Sequence, residues 1–177
     1  MTDQPFYAVT IEIRILMSMV THVAIRHLED RLRTMNIGIS GLQVGVLRTL
    51  SHNNFTLSEL SKKFMLDPST LVPVVDALER KGYVMRGKDV NDRRRIPLSV
   101  TEEGLAILNN IPFSPENDML HHSLESMGEE KTHVFLNLLR ELVRSLPNGD
   151  EMLQEVSTRI HAYSCEQPPI SKSVTDS

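Results

Sequence analysis

The sequence predicts a mostly α fold with one small β-hairpin, and three observations carry that prediction. Apolar residues recur at helical spacing through most of the 177-residue chain. Only "YVMRGKD" and "RRIPLSV" have strand character, and the turn signals Val90, Asn91 and Asp92 lie between them. Helix starts carry capping residues, most plainly the "TLSE" box that opens at Thr56.

In chain order, Leu16, Met19, Val20, Val23, His27 and Arg31 define a long amphipathic helix from Val9 to about Thr34, with Arg26, Glu29, Asp30 and Arg33 off that line. Ser40 caps a second helix, through Leu50, whose inner stripe is Leu42, Val46, Leu47 and Leu50; His52, Asn53 and Asn54 end it. Thr56 and Glu59 start a short helix to about Phe64, with Leu57, Leu60 and Phe64 inward. Asp67 and Pro68 open the next, in which Leu71, Val74, Val75 and Leu78 share a side and Gly82 is the stop. Two short helices joined by "MLD" fit a helix-turn-helix.

After the hairpin, Thr101 caps a helix whose first turn holds Glu102 and Glu103. "IPFSPEND" interrupts it, because two prolines so close cannot sit in a helix interior, and a kink or restart near Ser114 follows. Phe135, Leu138, Leu139, Leu142 and Leu146 make a strong helix ending at "PNGD"; Leu153, Val156, Ile160 and Tyr163 make a further short one. The end, "EQPPISKSVTDS", reads as a disordered tail.

A chain that is 40% hydrophobic at this length can bury one real core. Its formal net charge of -4 argues against indiscriminate coating of nucleic acid, yet the charge is unevenly spread. Arg80, Lys81, Arg86, Lys88, Arg93, Arg94 and Arg95 face only Asp89 and Asp92 in one segment. The single cysteine, Cys165, excludes an intrachain disulfide framework and a multi-thiolate zinc site. "MTDQPFY" lacks the features of a secretory signal and no apolar run reads as long enough to span a bilayer, so a soluble cytoplasmic protein is expected.

The order helix, helix, helix-turn-helix, basic hairpin and long C-terminal helices describes a winged helix-turn-helix. "DRR", five positions, then "VTEEG" resembles the wing signature of the MarR family of transcriptional regulators, and "DPSTLVPVVDALERKGYVMR" resembles its recognition helix and first wing strand. The resemblance covers about Ile11 to Leu146, with its specific part from Leu57 to Gly104. It implies an N-terminal dimerisation helix over 1–36, a winged helix-turn-helix over 37–104, C-terminal dimerisation helices over 105–163 and a tail over 164–177. It also implies a homodimer on duplex DNA, and a small-molecule effector bound between the dimerisation helices and the winged region. No cofactor is expected. Two-fold pairing would set the recognition helices about 34 to 36 Å apart and select a pseudo-palindromic operator.

On the recognition helix, Ser69, Thr70, Val72, Pro73 and Ala77 point away from the core stripe. The hydroxyls suit phosphates or base edges, and the apolar side chains suit thymine methyl groups. Many relatives carry polar or basic residues at Val72, Pro73 or Ala77, so direct base reading is expected to be modest here. A proline deep in a helix costs about 3 kcal/mol, so the helix either starts near Ser69 or kinks at Pro73. In the wing, Arg94 is assigned to the minor groove. Arg93 and Arg95 are assigned to phosphates, and Asp92 to orienting an arginine. Lys62, Lys63, Arg86 and Lys88 add phosphate contacts.

Three sensing devices are weighed against plain packing. Met17, Met19, Phe113 and Met119 suit an apolar cavity, though at this spacing such residues are more often core. "STLVP" resembles the peroxide-sensing branch, whose reactive cysteine lies in the first helix; here none precedes Cys165. His121, His122 and Glu125 lie within one helical turn but need further ligands to hold a metal, and no metal site is assigned. His27 reads as an interface histidine. No enzyme motif appears, and the glycines of "GISGLQVG" read as close helix packing. The alternatives to an effector-responsive repressor are a non-catalytic winged-helix protein-interaction module and a metal-responsive regulator.

Overall fold

A computed structural model of the chain describes residues 4–88, 95–111 and 115–166. Eight helices are seen among the described residues: α1 (Gln4–Thr34), α2 (Gly41–His52), α3 (Leu57–Phe64), α4 (Pro68–Arg80), α5 (Glu102–Asn109), α6 (Met119–Met127), α7 (Glu129–Arg144) and α8 (Gly149–Glu166). Two strands, β1 (Val84–Arg86) and β2 (Leu98–Val100), pair antiparallel with Val84 opposite Val100 and Arg86 opposite Leu98. The chain divides into two compact units, Met1–Ser123 and Leu124–Ser177.

The caps read from sequence form as expected. Ser40 and Thr56 each complete a reciprocal capping box, with Gln43 and Glu59 returning to the cap N–H. The Thr101 hydroxyl accepts from Gly104 N–H at 3.1 Å and donates to Gly82 C=O at 2.6 Å. A cap that sequence did not show also acts on α2: the Glu29 carboxylate of α1 accepts from Gly41 N–H at 2.7 Å.

The core of the first unit is the convergence of the predicted stripes: Leu47, Leu50, Leu60, Leu71, Val75, Leu78, Val84 and Leu98 are fully buried together with Leu32 at the end of α1. Glycines permit the close approaches, since a Cβ on Gly41 would meet Leu28 at 3.0 Å and one on Gly45 the Phe64 ring at 3.2 Å. Phe55 adds a bridge residue beside β2, donating to Leu98 C=O and accepting from Leu98 N–H at 2.8 Å. The tightest join is at Gly104, where a Cβ would lie 2.3 Å from the Tyr83 carbonyl oxygen. That glycine lets α5 press on the entry of β1.

In the second unit, α7 and α8 form a helical hairpin whose turn admits no side chain at Gly149, where a Cβ would lie 2.1 Å from Val143 C=O. Of the predicted stripe, Phe135, Leu138 and Leu142 of α7 and Leu146 just after it are exposed in the single chain, and Leu139 is half-buried.

Several expectations change. α1 begins at Gln4 rather than Val9, and Phe6, Ile11, Ile15, Leu16, Met19, Val20, Val23 and Ile25 are all exposed on it. Its apolar residues wrap most of the circumference rather than a narrow stripe. Pro5–Thr34 is therefore long and apolar enough to cross a membrane by length and composition, contrary to the reading that no run was. Glu12 and Arg14 hide this by breaking the run in sequence.

The break expected near Ser114 lies outside the described residues, but α5 stops at Asn109 and helix resumes at Met119 after a 3₁₀ turn, Pro115–Asn117. A second break, at Gly128 with φ +87°, separates α6 from α7. α8 has 18 residues, longer than expected, and runs through residues 164–166 assigned to the tail. α4 begins at Pro68, next to Ser69 as the first alternative for Pro73 required, yet Pro73 still falls inside the helix. There it removes the N–H that would reach the carbonyl of Ser69, an exposed residue whose oxygen solvent can satisfy.

Gly104→Ala is expected to destabilise the fold by about 3 kcal/mol, since backbone must move to admit the methyl. Ser61→Ala should be neutral or slightly stabilising, because the buried Ser61 Oγ has no hydrogen-bond partner among the described residues. Urea unfolding of both variants checks the contrast.

Candidate nucleic-acid interface

The turn between α3 and α4 is made by Met65, which takes the left-handed conformation at φ 51° and donates its N–H to Lys62 C=O at 3.2 Å, while Leu66 N–H reaches Ser61 C=O at 3.1 Å. Leu71, Val75 and Leu78 then bury one side of α4 and leave the other open. Ser69, Thr70, Val72 and Pro73 are exposed on it, Val72 at 39%. Ala77, expected on that outward face, is half-buried, because it lies toward the edge of the buried stripe.

Sequence reasoning missed how the outward face continues. Asp76 and Glu79 are exposed on α4, one and two turns beyond Val72 and Pro73, so the helix begins with hydroxyls and apolar groups and ends with carboxylates. Their spacing was the available signal. Both bind Arg86 at the end of β1: its Nε donates to Glu79 Oε2 at 2.8 Å, and its Nη2 donates to Asp76 Oδ1. Arg86, expected on phosphate, has its half-exposed guanidinium paired with these two surface carboxylates.

Arg95 is likewise held, its Nη2 donating to Glu59 Oε1 at 2.7 Å. Glu59 Oε2 accepts from Thr56 N–H at 2.7 Å in the same carboxylate, so one side chain caps α3 and ties the hairpin. The Thr56 backbone N–H is the largest cause holding the Glu59 carboxyl below its ordinary pKa, with the Thr56 hydroxyl and Arg95 adding to it against partial desolvation.

Lys63 stands over the Phe55 ring, 4.9 Å from its centroid. Lys62 and Lys88 are exposed. Asp92, Arg93 and Arg94, the predicted wing tip, lie outside the described residues. The structure thus brings Ser69, Thr70, Val72 and Pro73 onto one face, and pairs Arg86 and Arg95 with carboxylates of α4 and α3.

Of the sensing candidates, Met17 and Met19 are exposed, Met119 is half-buried and Phe113 lies outside the described residues. The His121 and His122 rings are 6.0 Å apart, and His122 Nε2 lies 3.0 Å from Glu116 C=O. Among the described residues no three His, Cys, Asp or Glu side chains are grouped to hold a metal ion. His27 is half-buried.

Comparison with known proteins agrees with this geometry. Residues 39–96 match the MarR family. The HTH-type transcriptional regulator SarZ of Staphylococcus aureus (strain USA300) is 39% identical over 95 residues, which are 54% of this chain and 63% of SarZ. The chain therefore spans somewhat under two thirds of that relative. The reduced form of MarR from E. coli is similar with a TM-score of 0.56 and 29% identity, over 75% of this chain and 94% of that one. A mutant MarR from E. coli complexed with operator DNA is similar with a TM-score of 0.54 and 25% identity, over 94% of this chain and 100% of the other.

The lowered Glu59 pKa sets the sign of a pH dependence. Its contribution to stability is fully present above the ordinary carboxylate range, near pH 4.5, and is lost as pH falls through the lower folded value. Glu59→Gln should lack that increment above pH 4.5, so it unfolds more easily than wild type at neutral pH, and acid unfolding should show the difference narrowing as pH falls below 4.5.

Proposed function

We propose a function from the premise that this chain carries a MarR-family domain over residues 39–96: it is a transcriptional regulator that binds duplex DNA as a homodimer. The observation that carries the reading is the face of α4. Leu71, Val75 and Leu78 anchor the helix in the core while Ser69, Thr70, Val72 and Pro73 stand outward, as a helix that enters a major groove requires.

On that face Ser69 and Thr70 serve phosphates or base edges at the helix N-terminus, where the positive end of the helix dipole favours an anion. Val72 and Pro73 offer apolar contact of the kind a thymine methyl accepts. Lys62 and Lys88 contribute phosphate contacts from α3 and the hairpin. Arg94 enters the minor groove, Arg93 meets phosphate and Asp92 orients its neighbours. That likeness extends to a MarR crystallised with operator DNA supports the choice of duplex over single strand.

Dimerisation is supported by surface that a lone chain leaves wet. The apolar residues of α1, with Phe135, Leu138 and Leu142 of α7 and Leu146 just after it, form exposed patches that water disfavours, and a second copy would cover them. Residues 1–36 and 105–163 are the dimerisation segments and 37–104 the DNA-binding region, with 164–177 as tail. Covering α1 in this way, rather than by lipid, places the protein in the cytoplasm with its operator. The regulator acts as a repressor released by a small-molecule effector, which must bind the free and DNA-bound arrangements with unequal affinity.

Selection of genomic fragments by the purified protein should return a pseudo-palindromic site with half-sites about one helical turn apart. Arg94→Ala is expected to weaken binding to that site about tenfold or more without lowering the melting temperature. Unchanged affinity at physiological salt would remove the wing from the interface.

A further inference from the structure

The two arginines that flank the hairpin loop are both paired, and with different helices. Arg86 closes β1 and Arg95 stands three residues before β2, so they bracket the loop where Gly87 N–H donates to Pro97 C=O at 2.7 Å and ends the ladder. Arg86 is drawn to Asp76 and Glu79 of α4, the carboxylates standing three apart and both reached by one guanidinium. Arg95 is drawn to Glu59 of α3, whose other oxygen is fixed by Thr56 N–H.

From this we propose that Arg86 and Arg95 are positioning residues that set the angle of the wing to the recognition helix, and that Glu59, Asp76 and Glu79 promote DNA binding despite their negative charge. The inference rests on the DNA-binding reading above.

Three features favour it over the phosphate assignment. The first is geometry. Each guanidinium is oriented by a carboxylate that is itself part of the helix-turn-helix, so both sides of the hairpin base are referred to the two helices that must meet the groove. The second is composition. Acidic groups on the outward side of a recognition helix would repel a phosphate backbone unless cations neutralise them, and Arg86 answers both at once. The third is energetic. Half-exposed ion pairs add little to global stability, so their value here lies in orientation. A three-residue strand pair has too few ladder bonds to resist rocking alone, and ties on both sides supply what the ladder lacks.

The readings part at the acids. If the arginines hold phosphates, replacing a nearby carboxylate by its amide removes repulsion and frees an arginine, so affinity rises. If they position the wing, the same replacement loosens it and affinity falls.

The test uses the full chain with a fluorescent operator recovered by selection, titrated by anisotropy from low to high salt. The variants are Glu59→Gln, which keeps an oxygen for the Thr56 cap, Asp76→Asn with Glu79→Gln, Arg86→Gln and Arg95→Gln. Positioning predicts that all four bind about tenfold more weakly, the scale of a lost contact, with the wild-type salt slope retained and melting temperatures unmoved apart from the small increment that Glu59→Gln gives up. Arg86→Lys and Arg95→Lys should recover part of the loss.

Amide variants that bind as well as wild type or better, or arginine variants whose salt slope falls by about one, overturn the proposal with DNA binding intact. A wild-type protein that retains no selected duplex at any salt overturns the DNA-binding reading instead.

Discussion

The hairpin can leave the helical core and return to it only because Gly104 carries no side chain. Its Cα hydrogens face the Tyr83 carbonyl, where a Cβ would stand 2.3 Å from the oxygen. The same carbonyl accepts Thr101 N–H at 3.0 Å, and the Thr101 hydroxyl reaches Gly82 C=O. One knot of backbone therefore joins the exit of α4, the start of β1, the end of β2 and the start of α5. From it follow the placement of the hairpin beside α4 and the burial of Val84 and Leu98 in the core that anchors the helix-turn-helix.

With that knot tied, apolar burial and charge divide the work. Leu60, Leu71, Val75 and Leu78 hold α3 and α4 against α2, and this burial supplies the stability. The half-exposed ion pairs of Arg86 and Arg95 add little energy but select one orientation among those the short ladder would allow. The DNA recognition proposed above would need both, because a groove discriminates by where groups are held as much as by which groups they are.

Outside the winged region the surface tells a different story. α1 exposes apolar groups around most of its circumference, and α7 exposes its strongest stripe. The homodimer proposed above would cover such faces, and the apolar content that makes α1 pass for a bilayer helix is the same content a subunit interface uses. Composition cannot separate the two uses; the family-like winged domain that follows α1 favours the second.

What the sequence by itself determined was local. The starts of α2, α3 and α5 were legible because Ser40, Thr56 and Thr101 satisfy free backbone donors within three residues, and the inner stripes of α2, α3 and α4 because helical periodicity assigns faces without reference to anything distant. The exposed face of α4 followed from the same periodicity, apart from Ala77 at its edge. Only the tertiary structure decided what meets across sequence separation: Glu29 on the α2 N-terminus, Phe55 beside Leu98, and Arg86 and Arg95 on acids of α4 and α3. A basic residue in sequence carries only a charge. Its partner is chosen by which carboxylate the fold brings within about 3 Å, and that distance is set by packing among residues far apart in the chain.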